Sequence, residues 1–127
     1  MSFLRRAGLV GLAAPFVVMG WSGATEPGGR VALAASLGIP SPEVAVRFNG
    51  AAMVAGGLAL ATGVLPRAAA LGLAASLVPT TLAAHSYWRT EDPKMRTINR
   101  IQFLKNLGLL GGLVAVAAAP RDPSPGA

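Results

Sequence analysis

Four long apolar stretches, parted by turn signals, organise this chain. The first covers residues 3–23, with Arg5-Arg6 at its start and Pro15 inside it. A helix rises about 1.5 Å per residue, so about 20 residues cross a hydrocarbon layer roughly 30 Å thick. Arg5-Arg6, the apolar run and Ser22-Gly23-Ala24 also match the layout of a secretory signal peptide. Pro15 and Trp21 favour a retained helix anchored at the interface. Glu26-Pro27-Gly28-Gly29 and Ile39-Pro40-Ser41-Pro42 are turn signatures, and Arg30 to Leu37 between them is a helical piece too short to span.

Ser41-Pro42-Glu43 reads as a helix start: a Ser cap, Pro in the first position and an acid on the positive end of the dipole. The second span then covers residues 42–63 and stops at Leu65-Pro66. The third covers 67–88, ending at Tyr87-Trp88, and so short a connection makes an antiparallel pair. Glu91-Asp92-Pro93 precedes the fourth, 95–119, and residues 120–127 read as a disordered tail. The expected fold is all-α, an integral membrane four-transmembrane-helix bundle forming one domain over residues 1–119. Both termini then lie on one side, here side A; the loops after the first and third spans face side B. Cations divide evenly, with Arg5, Arg6, Arg67 and Arg121 on side A against Arg30, Arg89, Lys94 and Arg96 on side B. The first helix tips the balance, because Arg5-Arg6 precede it, and places side A in the cytoplasm.

Composition narrows the function classes. Of 127 residues, 53% are hydrophobic and 13% charged, about half the charge of a soluble domain. A net charge of +6 would suit nucleic acid, but the cations are spread thinly along a greasy chain rather than gathered with stacking aromatics, so no nucleic-acid partner is expected. With no Cys and one His, the chain has no thiolate nucleophile and no metal-binding spacing, and it cannot hold a bis-histidine haem by itself. No catalytic residue and no resident cofactor or metal are expected.

Polar groups inside the spans are then the informative ones, because an ionised residue at the bilayer centre costs at least about 2.5 kcal/mol. They gather toward side B: Arg47 and Asn49 in the second span, His85 in the third, and Asn99, Gln102, Lys105 and Asn106 in the fourth. Asn99, Gln102 and Asn106 form one helical stripe, and Lys105 aligns instead with Ile101, Gly108 and Gly112. A Gly108–Gly112 pair is the spacing that lets another backbone approach, so this face is expected to be a packing interface with Lys105 buried and paired. Arg47, Asn49, His85, Lys105 and Asn106 form the expected polar cluster. Pro79 reads as a kink, with Thr80 and Thr81 placed to satisfy a freed carbonyl.

Four segments carry a resemblance to a known family: Val46-Arg47-Phe48-Asn49-Gly50; Leu60-Ala61-Thr62-Gly63 leading into Pro66-Arg67; Pro79-Thr80-Thr81-Leu82-Ala83-Ala84-His85-Ser86-Tyr87-Trp88; and Phe103-Leu104-Lys105-Asn106-Leu107-Gly108-Leu109-Leu110-Gly111-Gly112. With these the chain resembles the DoxX family of small four-helix membrane proteins. The resemblance implies a multi-pass protein of a prokaryotic cytoplasmic membrane with loose ties to redox chemistry, since relatives occur as small subunits of quinone-linked oxidoreductases or beside oxidative-stress proteins. Two roles follow as expectations. One is a non-catalytic subunit or scaffold docking a soluble or membrane redox partner. The other is a module binding a quinone or an anionic lipid in the polar cluster. An enzyme proper fits the residues least.

Overall fold

The computed structural model describes residues 2–120. Five α-helices follow one another: α1 (Phe3–Thr25), α2 (Gly29–Ser36), α3 (Pro42–Thr62), α4 (Pro66–Ala84) and α5 (Pro93–Ala118), with a 3-10 turn at Tyr87–Arg89 before α5. All but α2 are long and apolar enough to cross a membrane, α4 counting its 3-10 extension. There is no strand among the described residues. The expected tail lies outside them, apart from Pro120.

Local chemistry explains the boundaries. Ser2 caps α1, its Oγ accepting from the Arg5 N–H at 3.1 Å. The Asp92 carboxylate does the same for the Met95 N–H of α5, with Pro93 in the first position. α3 ends at Gly63 in a left-handed conformation, where Val64 N–H returns to the Ala59 carbonyl at 2.9 Å, closing a Schellman turn. Two departures from expectation occur at helix starts and ends. Ser41 has φ 47° and makes no side-chain cap, because a left-handed cap residue does not aim its hydroxyl at the first helical N–H groups. α4 stops at Ala84 rather than reaching Trp88: His85 leaves helical geometry, and Tyr87–Arg89 form a tighter turn that sets both aromatic rings against α5.

α3 packs against α1, α2 and α4, and α4 against α5. α1 and α5 meet over only a short stretch, where Leu12 covers Gly112, so the ring of spans is closed on three sides and nearly open on the fourth. The main buried apolar cluster lies between the bundle's middle and side A: Leu9, Ala13 and Phe16 of α1, Leu60 of α3, Ala70 and Leu73 of α4, and Leu113 of α5. Toward side B, α1 and α3 close differently. A Cβ on Gly50 would lie 2.5 Å from the Ala24 nitrogen and 2.6 Å from the Gly20 oxygen, and one on Gly20 would lie 2.7 Å from the Gly50 oxygen. Here backbone touches backbone, which only glycine permits.

Candidate functional site

The side-B half of the bundle holds the polar residues, and helical geometry decides which of them meet. Ser76 and Thr81 stand five residues apart, about 140° around α4, so each hydroxyl faces a different neighbour. Ser76 donates to Asn49 Oδ1 of α3 at 2.8 Å. Thr81, buried, accepts from Asn106 Nδ2 of α5 at 3.0 Å. Where α4 ends, His85 Nδ1 lies 3.4 Å from Asn99 Oδ1, and the Asn99 amide donates to Thr90 Oγ1 at 3.1 Å. These contacts form a short ladder of polar rungs across α3, α4 and α5. No buried side-chain nitrogen or oxygen among the described residues lacks a partner.

The charged members of the expected cluster do not join the ladder. Arg47 turns to the end of α1, donating to the Ala24 carbonyl at 2.7 Å and pairing with Glu43 at 3.2 Å. The terminal carbonyls of a helix carry the negative end of its dipole, which is why the guanidinium settles there. Arg67 repeats the arrangement at the other end of the bundle, donating from the start of α4 to the Ala117 carbonyl of α5 at 2.9 Å. Lys105 is exposed, on the outer face of α5 with Ile101 and Leu104, and makes no hydrogen bond or ion pair among the described residues. The expectation of a buried, paired Lys105 is therefore corrected: within the chain Ile101, Lys105 and Gly108 of its stripe face away from the bundle, and Gly112 alone of the four meets α1, at Leu12.

Gly108 is corrected with it. A Cβ there would meet nothing within 4 Å, and one on Gly112 would meet only the Leu12 side chain, nearest at 3.2 Å, so no backbone approaches this pair within the chain. Asn49, His85 and Asn106 do lie between helices, but each is bonded to a different partner, Asn49 across the α3–α4 seam and the other two at separate heights of the α4–α5 seam. Thr80 donates to the Ser76 carbonyl at 2.5 Å, one residue beyond the carbonyl that Pro79 leaves free, while Thr81 serves Asn106.

Three features went unread in the sequence. Ser76 is the partner of Asn49, and its single hydroxyl among apolar residues was the available signal. Tyr87, Trp88 and Phe103 form an edge-to-face trio with centroids 5.2–5.5 Å apart, which needs the 3-10 turn to assemble. Below it, between α4 and α5, lies a cleft of about 110 Å³ with apolar walls. No group of three or more His, Cys, Asp or Glu that could hold a metal ion occurs among the described residues.

Comparison with known proteins adds one finding. The DoxX family model matches residues 6–86, which takes in most of α1 and all of α2, α3 and α4 and stops before α5. No curated protein and no solved structure matches the chain.

Proposed function

Because the chain belongs to the DoxX family, we propose that it works as a non-catalytic membrane subunit or scaffold that docks a protein partner of a redox or oxidative-stress system. It sits in a prokaryotic cytoplasmic membrane with both termini inside. The observation that supports this reading is the fate of the span-interior polar groups. Asn49, Thr81, His85, Asn99 and Asn106 bond to one another and to neighbouring hydroxyls across helix seams; Thr81 and Asn106, which border the α4–α5 cleft, are bonded to each other there. Groups used this way fix helix positions, which a scaffold needs, and they leave little donor or acceptor capacity for a reacting molecule.

Isolation of the full chain in mild detergent, with mass spectrometry of everything that comes with it, tests the reading. A stoichiometric protein carrying a redox cofactor is the expected result. Recovery of the chain alone, or with a stoichiometric quinone and no protein, overturns it.

A further inference from the structure

The cleft between α4 and α5 joins an apolar wall to unmatched positive charge, and the two lie at the right relative depth. Its walls are Leu77, Val78 and Leu82 on α4 and Phe103, Leu107 and Leu110 on α5, with the Thr81–Asn106 bond among them. Its volume, about 110 Å³, is of the order of the roughly 150 Å³ Leu/Ile/Phe-lined cavity that takes up benzene. Val78, Leu82 and Leu107 are 41%, 51% and 52% exposed, so the cleft opens outward to the surrounding lipid rather than inward to the bundle.

Arg100 precedes Phe103 by three residues and Leu107 by seven, which puts it on the cleft face of α5 one turn nearer side B. Taking about 1.5 Å per residue, the cleft begins about 5 Å below Arg100 and ends about 15 Å below it, near the middle of a hydrocarbon layer roughly 30 Å thick. The cleft thus serves one leaflet. Arg89 follows Trp88 in the 3-10 turn at this same end of the cleft, and the Trp88 ring meets Phe103 at 5.5 Å. Trp88 is half exposed, as an indole at headgroup level is.

Arg89 and Arg100 are both exposed, and neither guanidinium makes a hydrogen bond or ion pair among the described residues. Arg96, a further turn up the same face, is held by the carbonyls of Thr90 and Glu91. Neither nearby acid forms an ion pair with these arginines among the described residues: Asp92 caps α5, and the Glu91 carboxylate has no partner.

We propose that this is a binding site for one anionic phospholipid of the side-B leaflet. An acyl chain fills the cleft, and the phosphate lies on the guanidinium groups of Arg100 and Arg89, beside Trp88. A guanidinium presents paired donors to phosphate oxygens and is lightly hydrated, which suits it to this layer. The site does not depend on the scaffold role, since the cleft faces lipid whether or not a protein partner is docked.

The test uses the full chain in bilayers of phosphatidylglycerol and phosphatidylcholine, released into mild detergent and weighed by native mass spectrometry. One phosphatidylglycerol per chain should stay bound in preference to phosphatidylcholine. The double variant Arg89→Gln, Arg100→Gln should lower that retention about tenfold or more, as expected for losing charge-assisted bonds. Lys94→Gln removes one charge from the opposite face of α5 and should leave retention unchanged. Leu107→Trp, which fills the cleft with both arginines intact, should also lose the lipid. Should that variant fold poorly, a phosphatidylglycerol with a photoactivatable acyl chain, applied to the parent chain, should label Val78, Leu82 or Leu107. Equal retention in the double arginine variant, equal loss in Lys94→Gln, labelling elsewhere, or cross-linking of Leu107 to another polypeptide would each overturn the site.

Discussion

Two seams of this bundle solve the same problem in opposite ways. Between α1 and α3, glycines bring the chains into backbone contact, and no space remains for anything else. Between α4 and α5, hydrogen bonds at separate heights, Arg67 to the Ala117 carbonyl, Thr81 with Asn106 and His85 with Asn99, pin the helices while a cleft stays open beside the middle one. Lipid is as apolar as leucine, so neither seam gains from hiding hydrophobic surface; along their middles one relies on close backbone contact and the other on hydrogen bonds between side chains. Contact demands small residues along a whole length. A bond demands two residues at one height, and it leaves the rest of the seam able to admit a guest.

The sharpest way to break this contrast is Gly50→Ala. Its new Cβ would fall within 3 Å of three backbone atoms of α1, and backbone cannot swing aside as a side chain can. A loss of about 3 kcal/mol is expected, read as a large fall in the thermal midpoint in detergent. An unchanged midpoint would show that the α1–α3 seam tolerates separation. Asn106→Leu addresses the other seam. It removes one interhelical bond and leaves Thr81 without its donor, for an expected loss of about 1 kcal/mol. A loss as large as that of Gly50→Ala would mean that the two seams do not differ in kind.

Smaller effects sharpen the picture. Leu65 is exposed and has φ 45°, a conformation costly for a side chain bearing a Cβ. Leu65→Gly should raise stability by about 0.5 kcal/mol, the relief of strain being partly offset by the greater freedom of glycine when unfolded. A drop in the midpoint would show that Leu65 is held by contacts outside the chain. Gly108→Leu should change stability least, by no more than about 0.5 kcal/mol, because its Cβ has open space. A large drop there would reveal a partner helix on the outer face of α5.

Much of the architecture was readable from the chain, because hydropathy, turn residues and N-terminal prolines act over a few residues. The spans at α1, α3 and α5 differ from expectation by no more than two residues at either end, and α1 and α3 begin at the expected residue. The end of α4 was harder, since Tyr87 and Trp88 are compatible with a continuing helix and only their packing on Phe103 turns them out of it. The polar residues were found, but their grouping was not: sharing a depth in the membrane is not the same as sharing a face. Arg47 follows the carbonyls of α1, and Lys105 follows the outward face of α5. Glycines misled for the same reason. Gly108 and Gly112 have the familiar spacing with no backbone opposite them, whereas Gly50 and Gly57, seven residues apart on one face of α3, both lie against α1.

The two arginines at helix starts have a consequence for the order in which the protein can be assembled during synthesis. Arg47 follows the Ala24 carbonyl it satisfies by 23 residues, so the end of α1 emerges before its donor does. Arg67 precedes the Ala117 carbonyl by 50 residues, so its guanidinium waits for the last helix to arrive. The first half of the chain therefore closes backward onto a helix already made, and the second half closes forward onto a donor already in place. Each bond also fixes how far one helix is displaced along its neighbour, so the alignment of α4 is set only once α5 is in place.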